Sequence, residues 1–119
     1  MSGRGAHQSG LAAEEAGLAL YRAEGARPLA VRWRCAEGEI DLILRERTTI
    51  VFVEVKARRA HADAAHAIAP AQWRRLRAAA TRFLAETGGA DTDCRFDVAL
   101  VDRAGGIERI ANAASFDAW

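Results

Sequence analysis

The chain has 119 residues and a mass of 12.9 kDa, with half of its residues hydrophobic and 28% charged, which suits one domain with one core rather than two. No apolar run approaches the roughly 20 residues that span a bilayer, so the composition excludes a membrane-spanning helix. The net charge of +1 excludes a global field that would indicate a nucleic-acid partner, so any basic surface has to be local.

The first residues and the cysteines indicate the compartment. Residues 1–10 lack the apolar stretch and the small-residue cleavage pattern of a secretory signal, so we expect a cytoplasmic protein with no membrane partner. Cys35 and Cys94 are too few and too far apart for a disulfide framework, and neither belongs to a CxxC metal motif. We expect two buried thiols and assign them no role.

Helix and strand signals, taken in chain order, predict an α-β-β-β-α-β core with a short last strand. Residues 9–24 form the first predicted helix, with Ser9 as its N-cap and Gly25 after its end. A second helix begins at Pro70 and ends before Gly88-Gly89. Strands are predicted over residues 29–35, 39–44, 50–56 and 94–101, with a short last one over 107–110. Short connections make the first three strands a meander.

Apolar patterns predict which side chains form the core. Alternation over residues 29–35 predicts a half-buried strand in which one face carries Leu29, Val31, Trp33 and Cys35. On the second helix, helical spacing predicts an apolar face made of Trp73, Leu76, Ala80, Phe83 and Leu84. The third strand, which is rich in β-branched and aromatic residues, has the composition of a central strand.

Charged side chains rise from this central strand. Glu54 and Lys56 are two residues apart, so both project from the same face as Phe52, while the neighbouring valines fill the other face. Asp41 lies on the preceding strand, near enough to share a site with Glu54. Two carboxylates, a main-chain carbonyl such as that of Val55, and water form an oxygen shell that Mg²⁺ or Mn²⁺ accepts.

Lys56 is the one lysine among 17 basic residues. Where arginine serves elsewhere, a retained lysine is consistent either with a need for a compact ammonium group or with chance, since one remaining lysine has to lie somewhere. Beside a metal centre, this group would contact the scissile phosphate and the attacking water and stabilise the charge that grows in the transition state. The alternative is an ordinary ion pair with Glu54 on a solvated strand face, and the spacing alone leaves both interpretations open.

Two strand motifs carry a family resemblance. Gly38-Glu-Ile-Asp-Leu-Ile43, followed by Val51-Phe-Val-Glu-Val-Lys-Ala-Arg58, resembles the signature of the YraN family, small bacterial proteins of uncertain function with a restriction-endonuclease-like fold. The resemblance extends over about residues 10–101 and includes Tyr21 and the segment Arg95-Phe-Asp-Val98. The family is similar to archaeal-type Holliday junction resolvases and to the wider PD-(D/E)xK nucleases. The resemblance implies one α+β domain over residues 1–119, in which a mixed sheet is flanked by helices. The core of this domain is expected over about residues 10–110.

The resemblance also implies roles for individual residues. Asp41 and Glu54 are the implied metal ligands, Lys56 is the implied catalytic lysine, and Glu14 on the first helix is the implied fourth catalytic residue. By strand alternation Glu39 shares a face with Asp41, so it either contacts the metal ligands without binding the metal or is an additional ligand. The implied cofactor is Mg²⁺ or Mn²⁺.

The chain departs from the family pattern at three places. Arg32 replaces the usual asparagine, and Gln72 replaces a common lysine at the start of the second helix. A glycine-containing loop is replaced by a segment that includes His61 and His66, which we interpret as solvated histidines rather than a metal pair because they are five residues apart. We expect these changes to affect substrate contacts rather than the metal centre.

Arginines supply the candidate nucleic-acid contacts. Beside the motif and on the polar side of the second helix lie Arg58, Arg59, Arg74 and Arg75, with Arg77 and Arg82 further along the helix. These guanidinium groups are candidates for backbone-phosphate contacts, and a plain solvated face paired with carboxylates is an equal alternative.

The sequence therefore leaves more than one functional class open. The first hypothesis is metal-dependent phosphodiester hydrolysis in DNA, with structured or branched DNA as one candidate substrate. The second is a nucleic-acid-binding module of nuclease fold with little or no turnover, because likeness supplies a fold more securely than an activity. A structural role that leaves the carboxylates as a relic is the third. A homodimer is one option for the assembly.

Overall fold

A computed structural model of the chain describes residues 3–57, 68–89 and 92–114, with only the backbone described over 3–10. The predicted order of elements is confirmed, with a full last strand. The helices are α1 (Gly3–Ala23) and α2 (Pro70–Glu86), and the strands are β1 (Arg27–Cys35), β2 (Gly38–Glu46), β3 (Thr49–Ala57), β4 (Cys94–Val101) and β5 (Ile107–Ala114). Helix α1 begins six residues earlier than Ser9, and it ends as predicted before Gly25, whose positive φ of 94° closes the turn.

The strands form one mixed sheet in the order β1-β2-β3-β4-β5. The first three strands are an antiparallel meander, as their short connections predict. Strand β4 runs parallel to β3 because the connection between them crosses over through α2, and β5 returns antiparallel to β4. This arrangement of a mixed sheet with two helices confirms the predicted α+β fold class.

Each helix covers one face of the sheet. The face toward α2 buries Ile43 and Phe52 against Leu76, Phe83 and their neighbours, as the apolar face of α2 predicts. The opposite face buries Val51 and Val53 with Tyr21 of α1. Strand β3 lies between these two layers and has apolar side chains on both faces, so it is the central strand that its composition predicts. In the described part of the chain, neither helix is long and apolar enough to cross a membrane.

The alternation predicted for β1 is wrong. Leu29 and Val31 are exposed, whereas Trp33 and Cys35 pack with Ala30 against the cluster that faces α2. The reason lies in the backbone between them: Arg32 has a φ of 53°, in the left-handed region. One residue in this conformation turns the strand over, so the side chains before and after it no longer follow one alternation.

A buried carboxylate joins α1 to β4 and β5 on the sheet face that α1 covers. Asp97 on β4 is fully buried, and its Oδ2 accepts a 2.6 Å hydrogen bond from the hydroxyl of Tyr21. Its Oδ1 accepts hydrogen bonds from Nε of Arg95 at 3.0 Å and from the backbone N–H of Asn112 on β5 at 2.9 Å. A buried charge with this many donors is compensated, so the cluster joins α1, β4 and β5.

Candidate metal centre

The ladder between β2 and β3 opens at the predicted site. Its paired residues run from Glu46↔Thr49 to Leu42↔Val53, and the next two opposed residues are Asp41 and Glu54. On its other side β3 stays paired with β4 to the end of both strands. Strand β2 therefore separates from β3 at this point, while β3 remains hydrogen-bonded to β4. The two carboxylates lie where the strands part.

The side chain of Asp41 connects the two strands where their backbone pairing ends. The backbone N–H of Val55 donates a 2.8 Å hydrogen bond to Oδ2 of Asp41, so a carboxylate oxygen accepts from β3 beyond the last ladder pair. This bond fixes the position of Asp41 relative to β3 and satisfies a backbone donor.

Glu54 is buried, and one of its carboxylate oxygens lies close to two side-chain nitrogens. Its side chain faces α2 with that of Phe52, as the period of two predicts, and only 5% of the residue is exposed. Oε2 of Glu54 accepts a 2.9 Å hydrogen bond from Nε2 of Gln72 and lies 3.3 Å from Nζ of Lys56. The Lys56 side chain is 30% exposed, so its ammonium bridges the buried carboxylate and the protein surface.

Burial and the neighbouring Glu54 together shift the pKa of Asp41. Burial, followed by repulsion from the Glu54 charge and a hydrogen bond to the Glu54 side chain, raises the pKa of Asp41 to about 7. The Val55 N–H and the Lys56 charge oppose this rise without cancelling it. The raised pKa favours the protonated form of the Asp41 carboxyl beside the Glu54 charge. A divalent cation bound between the two carboxylates would take the place of that proton.

The donor set fits Mg²⁺ or Mn²⁺ better than a metal that needs a protein cage. Among the residues that the structure describes, no group of three or more His, Cys, Asp or Glu side chains could hold a metal ion. Mg²⁺ is commonly bound through one or two carboxylates and keeps several waters. Asp41 and Glu54 would hold such an ion, with main-chain oxygen and water as the remaining ligands.

Glu14 lies on α1 and is paired with Arg32. Nε of Arg32 donates a 2.7 Å hydrogen bond to Oε1 of Glu14, and this bond is the main reason that the pKa of Arg32 is raised. The Arg32 guanidinium also interacts electrostatically with Glu39 and Asp41. The structure therefore brings Asp41, Glu54 and Lys56 into direct contact, while Glu14 is connected to them through Arg32.

Glu39 is paired across the β1–β2 hairpin. Its Oε2 accepts a 2.6 Å hydrogen bond from Nε of Arg34, which is its register partner. Ile40 packs in the cluster facing α2 and Leu42 packs in the cluster facing α1, so alternation along β2 is interrupted at Asp41. The prediction that Glu39 and Asp41 share a face assumes regular alternation along β2. Because the alternation is interrupted at Asp41, that assumption does not hold here.

Comparison with known proteins gives the family. A family model described as "Uncharacterised protein family UPF0102" matches residues 13–101. The chain belongs to this family. The match confirms the YraN resemblance that the two strand motifs carry.

Individual UPF0102 proteins match nearly the whole chain. A relative from Cereibacter sphaeroides (strain ATCC 17025 / ATH 2.4.3) is 47% identical over 114 residues, which cover 95% of this chain and 97% of the relative. One from Roseobacter denitrificans is 46% identical over 115 residues, covering 96% and 89%. One from Azorhizobium caulinodans is 44% identical over 109 residues, covering 91% and 83%.

In this UPF0102 chain the predicted phosphate-binding arginines fall into two groups. Arg58 and Arg59, with His61 and His66, lie outside the described residues. Arg74 and Arg75 are exposed on α2. Nη2 of Arg75 donates a 2.9 Å hydrogen bond to Oε1 of Gln72, which brings this arginine next to the Glu54 contact.

Arg74 lines a groove of about 1060 Å³ along the outward side of α2. The groove also includes Trp73, Arg77 and Arg82, and its described lining contains none of the three residues at the strand opening. Arg82 donates to Glu37 and to Glu86, so its charge is already compensated. The groove and the carboxylate pair are thus separate features.

Sequence reasoning missed the roles of Arg32 and Gln72. Both are departures from the family pattern, and the sequence predicts that they affect substrate contacts rather than the metal centre. The structure instead joins Arg32 to Glu14 and Gln72 to Glu54, so each departure contacts a predicted site residue. The position of Gln72 in the first turn of α2, the helix that follows the Glu-x-Lys strand, was the available signal.

Proposed function

We propose that this protein is a cytoplasmic, Mg²⁺- or Mn²⁺-dependent endonuclease that hydrolyses phosphodiester bonds in DNA, with structured or branched DNA as a candidate substrate. The observation that carries the proposal is the contact of Asp41, Glu54 and Lys56 where β2 parts from β3. A carboxylate pair beside an ammonium group suits a cation and a phosphate together. The resemblance to Holliday junction resolvases and PD-(D/E)xK nucleases supports the same reaction.

Each residue of the trio has a distinct part in this mechanism. Asp41, oriented by the Val55 N–H, and Glu54 would hold the cation. When bound, the cation supplies charge neutralisation at the phosphate and activation of water. Lys56 donates hydrogen bonds to the phosphate oxygens and stabilises the negative charge that develops on them. The Lys56 side chain is 30% exposed, so a substrate can approach it from the surface.

Exposed arginines would position the nucleic acid. Arg75 and Arg74 on α2, together with Arg58 and Arg59, would contact backbone phosphates and set the register of the chain on the duplex without reading its sequence. A homodimer would supply two centres for cutting two strands, as a symmetric arrangement allows. Because the net charge is only +1, binding depends on these local contacts.

A nucleic-acid-binding module without turnover is the second candidate. The observation that favours it is the position of Glu14, whose carboxylate is paired with Arg32 rather than with the carboxylate pair. Such a module predicts binding that weakens with added salt, because phosphate contacts release counterions, and it predicts no cleaved product.

The decisive experiment incubates the protein with linear, flapped and four-way DNA and with RNA, in Mg²⁺, in Mn²⁺ and in a chelator. Cleavage of a DNA substrate that needs the metal and is lost in Glu54→Gln and Lys56→Met supports the nuclease. Glu86→Gln, at an exposed carboxylate on α2, is the matched control and should cleave normally. Cleavage retained in both site variants would overturn the site assignment, and salt-sensitive binding without product would favour the module.

A further inference from the structure

We propose that Gln72 is a positioning residue of the metal centre: its amide, held by Arg75, fixes the Glu54 carboxylate for metal binding. This inference rests on the proposed metal centre at Asp41 and Glu54. It gives a role to a residue that departs from the family pattern, and it connects the buried carboxylate to an exposed arginine.

Both ends of the Gln72 amide are used. Nε2 donates to Oε2 of Glu54 at 2.9 Å, and Oε1 accepts from Nη2 of Arg75 at 2.9 Å. An amide whose donor and acceptor are both engaged has one favoured orientation, and each of these bonds includes a charged partner, which makes it stronger than a neutral one. Gln72 thus forms the middle of a chain of contacts that runs from Arg75 to Glu54.

Gln72 and Glu54 both lie on elements that the core holds in place. Gln72 is the third residue of α2, which begins with Pro70 and packs on the sheet through Leu76 and the residues that follow it. Glu54 is on the central strand β3. The amide therefore connects two elements that the core holds in place, and rotation of the Glu54 side chain is restricted from the helix side as well as by Lys56.

Glu54 needs such a restraint if it binds a metal. A free glutamate side chain has several rotatable bonds, and ordering it at the moment of binding costs conformational entropy. Hydrogen bonds that hold a metal-binding side chain in position commonly change metal affinity by about 10- to 100-fold. The Gln72 amide supplies one of these bonds before any ion arrives.

Arg75 permits a test in which two explanations predict opposite signs. Removing a positive charge close to a cation site should by Coulomb's law tighten cation binding. If Arg75 acts by holding the Gln72 amide, its removal should instead weaken cation binding, because Glu54 loses its restraint. Arg74, the neighbouring exposed arginine that lines the groove, is the matched control for charge alone.

The experiment measures Mn²⁺ affinity of the full chain without nucleic acid, from the electron paramagnetic resonance signal of free Mn²⁺. We expect Gln72→Met to bind Mn²⁺ roughly tenfold more weakly than the unchanged protein, the lower end of the cost of losing such a bond. Arg75→Ala should bind several-fold more weakly, and Arg74→Ala should bind equally or more tightly. In the Gln72→Met background, Arg75→Ala should cause no further weakening.

Controls separate this inference from the proposed function. If the unchanged protein does not bind Mn²⁺, or if binding survives in the Asp41→Asn, Glu54→Gln double variant, the metal centre and the inference are both overturned. If binding requires both carboxylates but Gln72→Met binds as tightly as the unchanged protein, or Arg75→Ala binds more tightly, only the inference is overturned. Gln72→Lys is a second variant, in which the amine donates to Glu54 but cannot accept from Arg75. Removing Arg75 should therefore not weaken Mn²⁺ binding in that background, and weakening there would also overturn the inference.

Discussion

The backbone N–H of Val55 donates a hydrogen bond to the carboxylate of Asp41, at the point where β2 parts from β3. This bond does two things at once. It satisfies a backbone donor beyond the last ladder pair, and it places one carboxylate against Glu54. The geometry that opens the sheet is therefore also the geometry that creates the carboxylate pair.

The raised pKa of Asp41 predicts how stability depends on pH. Because burial and Glu54 raise it from 3.8 to about 7, the folded protein binds a proton that the unfolded chain releases at lower pH. The stabilising contribution of Asp41 is fully present below 3.8 and is lost as the pH rises through about 7. Without metal, we expect the free energy of unfolding in urea to fall over this range by more than it does in Asp41→Asn.

Asp41→Asn is a suitable control because the asparagine oxygen can still accept from Val55, so the strand opening is kept without a titrating group. Adding Mn²⁺ should restore the stability of the unchanged protein near neutral pH and above, and should have little effect on the variant. If the free energies of unfolding of the two proteins depended on pH in the same way without metal, Asp41 would not have a raised pKa in the folded protein.

The strand that carries the site was predictable because its signals are local. Glu54, Lys56 and Phe52 share a face through simple alternation on a β-branched strand, and the burial of Glu54 and Phe52 follows from its central position. The remainder depends on contacts between distant residues. Gln72 is 18 residues from Glu54, and Tyr21 is 76 residues from Asp97. No spacing pattern encodes such pairs, and Arg32 gives no compositional sign of its left-handed backbone.

The left-handed backbone at Arg32 predicts how substitutions there affect stability. A side chain in this conformation costs roughly 1–2 kcal/mol, asparagine tolerates it better, and a β-branched residue tolerates it least. Arg32→Asn relieves part of this cost and loses the pair with Glu14, so we expect little net change in stability. Arg32→Val should destabilise by about 2 kcal/mol or more in chemical denaturation.

Arg34→Val is the matched control for this prediction. Arg34 also carries an ion-paired guanidinium on β1, but it does not have a positive φ. Its replacement by valine should therefore cost about 1 kcal/mol or less. Equal losses in the two valine variants would show that the backbone of Arg32 is not the cause.

Removing the Tyr21 hydroxyl should destabilise the fold without damaging the metal centre. In Tyr21→Phe, the fully buried Asp97 loses a short hydrogen bond to its charged form, which typically contributes about 1.5–3 kcal/mol. We expect a loss of this size in urea unfolding, with Mn²⁺ affinity unchanged in the folded protein. A loss of Mn²⁺ affinity at full folding would contradict the separation of the two clusters. The substitution keeps the ring, so packing against the α1-side core is retained.

Tyr21 is the one tyrosine of the chain, so its ionisation can be followed directly by ultraviolet absorbance. Burial, then the hydrogen bond to Asp97 and the Asp97 charge, raise the pKa of Tyr21 far above its ordinary value of 10.0. The folded protein should therefore show no tyrosinate absorbance as the pH passes 10.0, while the chain in denaturant should titrate there. Because the folded pKa is the higher one, the contribution of Tyr21 to stability is present below 10.0 and is lost at higher pH. Tyrosinate should consequently appear together with the loss of helix in circular dichroism, and its appearance in a protein that is still folded would mean that the Tyr21–Asp97 bond does not hold in solution.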